Sequence, residues 1–351
     1  ETPNRFLFII GPGLFIVTAL MTSAVIPWGS NINLFGKIIP LQVADINIAI
    51  LFVFGVVSIG VYGIMIGGWA SNNKFGLLGA VRASSQMISY EVAMGLSIIS
   101  ILMMTGSLSL KEITNQQHGF INWHGVPYFS WFVFKQPLVF LIFLICAFAE
   151  TNRTPFDLPE CESELVGGYH TEYSSMKFAL FFLAEYAAMI TGSAIMVAVF
   201  LGGWHLPWID KLIYGTAQPA VSDWLGVLLK FCVYWGKVIA FLFFYMWVRW
   251  TLPRFRFDQL MNLAWRGMIP LSLCAMLITG GVVFLQRAEG LMYTRLWILL
   301  ANLVLFAIAL VVIGKRPKRQ NKRVPVPNSR YNPQVAAELA VAKAQLSDDQ
   351  A

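Results

Sequence analysis

Eight apolar segments of about 20 residues run along this chain, and they constrain its fold more than any other feature. Each is long enough to cross the ~30 Å hydrocarbon core of a bilayer as a helix. None shows the alternation of apolar and polar residues that is typical of a membrane barrel. The sequence therefore predicts an all-α, polytopic membrane protein with about eight transmembrane helices. The segments are 6–27, 46–69, 87–106, 129–149, 178–204, 224–248, 267–286 and 293–314.

The composition agrees with a membrane protein and excludes an ordinary soluble domain. Of the 351 residues, 57% are hydrophobic and only 12% are charged. The net charge of +7 is no sign of nucleic-acid binding, because six basic residues cluster in 314–323, directly after the last apolar segment. Such a flank is typical of a helix end held on the cytoplasmic side. We predict a transmembrane bundle over 1–314 and a basic, then Pro-rich, cytoplasmic tail over 315–351.

The distribution of lysine and arginine predicts which loops face the cytoplasm. Positive residues are enriched in cytoplasmic loops of membrane proteins. One set of alternate loops holds most of them, which places the loops 67–91, 150–177 and 249–266 on the cytoplasmic side together with both ends of this chain. The basic residues of that set are Lys74, Arg82, Arg153, Lys177, Arg249, Arg254, Arg256 and Arg266.

Acidic residues are concentrated in one of these loops and also occur inside the apolar segments. The stretch 150–173 contains six carboxylates and a single arginine. Helix capping explains Asp157 and Glu160, which have D-x-x-E spacing. It does not explain Glu91, Glu185 or Lys237, which lie inside predicted membrane spans. An ionisable group inside a membrane costs on the order of 3 kcal/mol or more, so such groups face a polar interior. These charged residues could also serve only to pair with one another and stabilise the bundle. The pattern favours the other interpretation, a proton or ion path that opens toward the acidic loop.

Cysteine and histidine give no sign of a metal centre. The four cysteines have no C-x-x-C spacing, and the four histidines form no H-E-x-x-H pattern. Thiols inside apolar segments behave as small hydrophobic side chains. We therefore expect no metal or Fe–S site built by this chain alone.

Four stretches of sequence resemble the membrane subunit of bacterial NADH–quinone oxidoreductase that corresponds to subunit 1 of mitochondrial complex I. The most specific is AETNRTPFDLPECESELVGGYHTEYSSMKFALFFLAEY, at 149–186. GGWASNNKFGLLGAVRASSQMISYE (67–91), RWTLPRFRFDQLMNLAW (249–265) and VADINIAILF (43–52) agree with the same family. The resemblance covers roughly residues 1–286. The family also has an N-terminal anchor helix and an amphipathic segment with E-R-R and G-P-N-R-x-G motifs. This sequence contains neither. We therefore expect it to be a fragment, or a gene model that lacks its start, in which part of the quinone entrance is missing.

The resemblance implies a role in coupling quinone reduction to proton translocation. In this family, the subunit joins the membrane arm to the peripheral arm of complex I and forms a chamber into which quinone enters. The resemblance thus implies a quinone as the substrate. NADH, FMN and the Fe–S clusters belong to partner subunits, and this chain is expected to hold no redox centre and no catalytic residue of its own. The implied partners are the quinone-reducing peripheral subunits and small membrane subunits, in a bacterial inner membrane, with no nucleic acid.

The family's functional residues map onto this sequence through its motifs. The N-R-x-P-F-D, acidic-loop and P-R-x-R motifs imply a quinone chamber. The S-Y-E, H-x-E-Y, A-E-Y and D-Q motifs, together with one intramembrane lysine, imply a proton path. The chamber residues are Arg153, Phe156, Asp157, Glu160, Glu162, Arg254 and Arg256, and the path residues are Glu91, Glu164, Glu172, Glu185, Lys237 and Asp258.

Three alternatives remain at this stage. The membrane subunit of a membrane-bound hydrogenase or formate hydrogenlyase shares the fold and the acidic loop, but the P-F-D-L-P-E-x-E-x-E-L and S-N-N-K-F-x-L-L-G runs favour the quinone enzyme. A stand-alone ion-coupled transporter predicts an internal repeat, and the sequence shows none. A purely structural scaffold has no need of charged residues inside its helices.

Overall fold

The fold is a helical bundle with two short hairpins, seen in a computed structural model. The structure describes residues 4–34, 37–118, 120–123, 126–157, 167–206, 224–289 and 294–315. The chain divides into two units, Glu1–Ala307 and Ile308–Ala351. All features below belong to the first unit; in the second, the structure describes only the end of the last helix. The tail over 315–351 stays a prediction.

Helices account for most of the described residues. They are α1 (Arg5–Ser23), α2 (Ala49–Ala70), α3 (Lys74–Thr105), α4 (Leu110–Asn115), α5 (Phe132–Lys135), α6 (Pro137–Glu150), α7 (Ser175–Phe200), α8 (Trp224–Thr251), α9 (Phe257–Leu263), α10 (Ile269–Glu289) and α11 (Thr294–Lys315). A π turn, Ala264–Met268, joins α9 to α10, and a single 3₁₀ turn, Gly168–His170, precedes α7. Two antiparallel hairpins pair β1 (Asn31–Leu34) with β2 (Lys37–Pro40), and β3 (Phe120–Trp123) with β4 (Val126–Phe129).

Six helical stretches in the described part of the chain are long and apolar enough to cross a membrane, rather than the eight that we predicted. They are α1, α2, α3, α7, α8 and the continuous run Phe257–Gln286. The predicted segment 129–149 corresponds to a shorter apolar helix, Pro137–Glu150, and the predicted segment 293–314 corresponds to α11, Thr294–Lys315, with its apolar part at Trp297–Ala309. The first is short because Gln136, which precedes Pro137, has φ −136° and ψ 66° and interrupts the helix. A residue before proline is disfavoured in the helical region.

Two of the predicted cytoplasmic loops are largely helical. Residues 67–91 were expected to form a loop, but α3 begins at Lys74 and runs for 32 residues. The Asn73 side chain caps its first turn by accepting from the Phe75 backbone N–H at 3.0 Å. In 249–266, only residues 252–256 lie outside a helix or the π turn. Hydropathy marks the apolar part of a helix, whereas a cap and helix-compatible polar residues extend it beyond that part.

The first two helices pack with their backbones in direct contact. A methyl group added to Gly11 of α1 would lie 2.9 Å from the Cα atom of Gly67 on α2. One added to Gly63 would lie 3.0 Å from the Gly11 carbonyl oxygen. Small residues at such contacts allow membrane helices to approach closely. The pair then packs on α7 and α3, and α3 packs in turn on α6 and α10.

Candidate functional site

A buried ion pair joins the acidic loop to α7. The Arg153 guanidinium lies 3.6 Å from Oε2 of Glu185, and their side chains are 9% and 2% exposed. The Tyr169 hydroxyl donates to Oε1 of Glu185 at 2.9 Å. The Arg153 guanidinium also stacks over the Tyr186 ring, 4.3 Å from its centroid. A charge this deeply buried requires such partners, so the structure brings together Arg153 and Glu185 of the predicted set.

Glu185 also lines a cavity enclosed by α1, α2, α3, α6 and α7. The volume of the cavity is about 80 Å³. Most of its wall is apolar, but a second carboxylic acid, Glu150 at the end of α6, lines it as well. Two carboxyl groups in a largely apolar space interact strongly when both are ionised. The remaining polar lining residues are Thr18, Thr22, Thr151 and Thr191.

A third acid, Glu91, lies on the α3 side of this region. Its carboxylate accepts a hydrogen bond from the Ser58 hydroxyl of α2, and Ser58 is also 2.9 Å from the Phe54 carbonyl oxygen. Glu91 is close enough to Glu150 to interact with it electrostatically. Glu185, Glu150 and Glu91 therefore form a series of acids, each on a different helix.

The first half of the acidic loop is fixed to α3 by one buried amide. Gln86, which is fully buried, donates through Nε2 to the Ala149 carbonyl at 2.8 Å and to the Phe156 carbonyl at 2.9 Å. The Asn152 side-chain oxygen lies 3.3 Å from the same nitrogen. The loop backbone is thus held on both sides of Arg153, which fixes the position of the guanidinium.

The same loop is clamped to the segment between α8 and α9. The Arg254 guanidinium lies 2.8 Å from Oδ2 of Asp157, and the Phe255 backbone N–H donates to the Pro155 carbonyl at 3.1 Å. The Phe156 and Phe255 rings stack with their centroids 5.7 Å apart. The structure therefore brings together three predicted chamber residues: Phe156, Asp157 and Arg254.

Other predicted residues lie apart from this assembly. Arg256 pairs with its near neighbour Asp258 at 3.3 Å, and both side chains are exposed, at 76% and 70%. Glu172 accepts a hydrogen bond from Asn73 at the start of α3, also on the surface. Glu160, Glu162 and Glu164 lie outside the described residues, so their roles stay predictions.

Lys237 lies apart from Glu185, and its place on the same proton path stays a prediction. Its ammonium donates to the carbonyl oxygens of Leu201, Gly203 and His205 at 2.7, 2.8 and 2.8 Å. These carbonyls follow the last turn of α7. Leu201 is 16 residues beyond Glu185, or roughly 24 Å along a helix. The Lys237 side chain thus binds carbonyl oxygens at a helix end, a contact that its depth within the span did not predict.

Four site residues were missed by the sequence reasoning: Glu150, Gln86, Ser58 and Tyr169. Glu150 was counted among the loop acids, and its place at the end of an apolar segment was the available signal. Gln86 is an amide within a stretch that we expected to be a loop. Ser58 and Tyr169 gave no signal in the sequence. The role of a single hydroxyl or phenol group can be recognised only when its carboxylate partner is known.

Comparison with known proteins bears directly on the family. The sequence model of the NADH dehydrogenase family matches residues 1–280. The chain is 60% identical over 283 residues to the corresponding NADH-quinone oxidoreductase subunit of Flavobacterium johnsoniae, across 81% of this chain and 77% of that relative. The chain belongs to the NADH dehydrogenase family of NADH-quinone oxidoreductase subunits.

More distant members agree. The corresponding NADH-quinone oxidoreductase subunit of Cytophaga hutchinsonii is 57% identical over 285 residues, covering 81% of this chain and 79% of that protein. One such subunit of Geobacter metallireducens is 44% identical over 283 residues, covering 81% and 77%. The resemblance to this subunit family is confirmed, and it is favoured over the hydrogenase, transporter and scaffold alternatives. The chain is a multi-pass membrane subunit of the NADH-quinone oxidoreductase complex.

The different surroundings of Arg254 and Arg256 in this NADH-quinone oxidoreductase subunit lead to a testable prediction. Arg254→Lys keeps the charge but loses the planar fork that reaches Asp157, and we expect it to lower quinone reductase activity by about threefold. Arg256→Lys changes an exposed pair and is expected to leave that activity unchanged, since such pairs contribute little. The measurement is NADH oxidation by membranes with a natural quinone analogue. Identical kinetics of the two variants would contradict a role for the Arg254–Asp157 contact.

Proposed function

We propose that the Arg153–Glu185 pair and its cavity form the proton-exchange site through which this subunit couples quinone reduction to proton translocation. The observation that carries this proposal is Glu185 itself. It is 2% exposed within a membrane-spanning helix, is paired with an arginine from the acidic loop, and lines a cavity that holds a second acid. Intramembrane acids with these partners are typical of proton relays.

The clamp between the acidic loop and the α8–α9 segment is proposed as part of the wall of the quinone chamber. The clamp presents the aromatic rings of Phe156 and Phe255 beside the ion pair of Asp157 and Arg254. A quinone headgroup combines an apolar ring with two polar carbonyl oxygens, and apolar surfaces with a few placed polar groups suit such a substrate. Glu160 and Glu162 follow directly in the sequence, and we propose them for the same wall.

Proton movement is proposed to follow the series Glu185, Glu150 and Glu91. Acids that interact in a partly dry space titrate as a group, so a change of charge at one of them alters the proton occupancy of the others. Arg153 stays charged at every physiological pH, which makes it a fixed reference charge for Glu185. Reduction of quinone next to the loop would supply the change of charge that starts this redistribution. Glu164, Glu172 and Asp258 are proposed as further members of the path.

The proposed setting of the protein is a bacterial inner membrane. Its proposed partners are quinone, small membrane subunits, and the peripheral subunits that hold NADH, FMN and the Fe–S clusters. This division of labour is supported by the type of chemistry that the described residues offer. They position charges and protons, while electron transfer requires redox groups that the sequence gives no reason to place in this chain.

Neutral variants of the two cavity acids test the proposal. Glu185→Gln and Glu150→Gln in the assembled complex are each expected to lower quinone reductase activity about tenfold or more, because a proton-transfer group is lost. NADH oxidation with a hydrophilic artificial acceptor is expected to stay at the wild-type level, since the electron input does not pass through this chain. Glu112→Gln is the matched control, because Glu112 is an exposed acid that accepts from Ser107 at 2.9 Å. Full quinone activity in both cavity variants would refute the proposed site.

A further inference from the structure

Tyr169 bonds one of the two oxygens of Glu185, and Arg153 lies nearest to the other. We infer that Tyr169 is a positioning residue that makes Oε1 of Glu185 the atom at which this carboxyl group takes up and releases its proton. The inference rests on the proposed function of Glu185 and adds to it the atom and the group that control the exchange.

The phenol of Tyr169 is fixed in place by its surroundings. The side chain is fully buried, and its hydroxyl lies 2.9 Å from Oε1 of Glu185. The ring meets the Phe181 ring edge-on at 5.2 Å between centroids, and the His170 ring at 4.0 Å. A ring packed in this way has few alternative rotamers, so the hydroxyl stays directed at the carboxylate.

The backbone of Tyr169 is in direct contact with α3. A methyl group added to Gly79 would lie 2.9 Å from the Gly168 Cα atom and 2.9 Å from the Tyr169 backbone nitrogen. Gly167 and Gly168 have φ values of +102° and +67°, which favour glycine and let the chain turn tightly onto the helix. The position of the hydroxyl is therefore set by α3 as well as by α7, which carries Glu185.

The two partners of Glu185 differ in what they can do with a proton. A guanidinium only donates hydrogen bonds, so it favours a bare oxygen at Oε2. A phenol both donates and accepts, so it can donate to Oε1 when the carboxylate is charged and accept from it when the acid is protonated. Of the two partners described here, Tyr169 alone can form a hydrogen bond with Glu185 in both protonation states, and it does so at Oε1. This asymmetry assigns the exchangeable proton to Oε1.

The pH response of the site depends on every ionisable group near Glu185. Among the described residues, the loop contributes Arg153, the 3₁₀ turn contributes Tyr169 and His170, and α6 contributes Glu150, with Glu91 of α3 behind it. The cavity residues from α1 and α2 are apolar or carry hydroxyl groups. Removing the phenol hydroxyl changes one partner of Glu185 and leaves these charges in place.

The test compares two tyrosines that both donate to α7. Tyr169→Phe removes the hydrogen bond to Glu185, whereas Tyr234→Phe removes a similar buried bond, at 2.8 Å, to the Ala194 carbonyl. In the assembled complex, we expect Tyr169→Phe to lower quinone reductase activity about tenfold and to shift its pH profile, because a hydrogen bond to a charged group is lost. Tyr234→Phe is expected to leave the pH profile in place. Activity with a hydrophilic artificial acceptor reports the amount of intact enzyme.

A second measurement keeps the inference testable if Tyr169→Phe assembles poorly. Fluorinated tyrosine at position 169 keeps the ring and the hydroxyl but changes the acidity of the phenol, and it is expected to shift the pH profile as well. An unshifted profile in both Tyr169 variants overturns the inference while Glu185→Gln still loses activity. Full activity of Glu185→Gln is a different result, because it overturns the proposed function itself.

Discussion

Arg153→Met is expected to prevent stable assembly of the protein into its complex, and adding Glu185→Gln is expected to restore assembly without restoring quinone reductase activity. Removing one partner of a buried ion pair leaves an uncompensated charge, which costs about 3–5 kcal/mol. Replacing both partners with neutral groups of similar size removes that penalty. The Glu185 side chain is 2% exposed, so water provides little compensation for the lost guanidinium. The measurement is the amount of intact complex in membranes, together with NADH oxidation using a quinone analogue and a hydrophilic acceptor.

The control for this experiment is Arg256→Met, which removes an arginine whose side chain is 76% exposed. It is expected to leave the amount of complex unchanged. Wild-type levels of complex in the single Arg153→Met variant would show that the pair contributes little to the fold. Recovery of quinone activity in the double variant would show that Glu185 is dispensable for coupling.

Lys237→Met is expected to destabilise the complex strongly and independently of Glu185. The ammonium group has three N–H donors, and each of the three carbonyls it meets follows the end of α7. Gly202 and Gly203, at φ +68° and +52°, turn the chain so that these carbonyls converge on the cation. A buried acceptor without its donor costs about 1–3 kcal/mol, and this variant affects three of them. A cation at a helix C-terminus also interacts favourably with the helix dipole.

Thermal inactivation of the solubilised complex measures this effect. Lys111→Met is the matched control, because Lys111 forms an ion pair at 3.3 Å with Asp45 in which both side chains are partly exposed, and such a pair contributes little. The losses from Lys237→Met and Glu185→Gln are expected to add, since the contacts described for the two side chains involve different groups. A double variant no worse than either single one would instead place both residues in one network.

Sequence reasoning predicted the charged residues at the centre of the site better than it predicted which other residues belong to the site. Glu185 was identified because a charge inside an apolar segment is costly, Arg153 was implied by the family resemblance, and the structure pairs them. The same energetic argument required a partner for Lys237 but did not say which one. Three backbone carbonyls satisfied the lysine, and a turn of this kind leaves no pattern in the sequence beyond two adjacent glycines.

The fold shows a similar division between what hydropathy reveals and what it omits. Apolar length located α1, α2, α7 and α8 within a few residues. It did not reveal that α3 extends back to Lys74, because capping by Asn73 and not hydropathy sets that boundary. It also overestimated the span that contains α6, where Pro137 interrupts the helix. Residues such as Tyr169 and Gln86 depend on contacts between distant segments, which one sequence does not encode locally.

The backbone contact between α1 and α2 has a consequence for how the cavity can change its size. Where Gly11 meets Gly67, backbone contacts backbone, so no side chain at this point can change rotamer and let the two helices slide or part. These two helices therefore form a rigid wall on one side of the cavity. Any change in the volume of the cavity has to come from movement of the opposite side, where α6 and α7 carry Glu150 and Glu185. Expansion or contraction of the cavity would thus change the distance between Glu150 and Glu185 directly. A movement of the helices would in this way change the electrostatic interaction between the two acids.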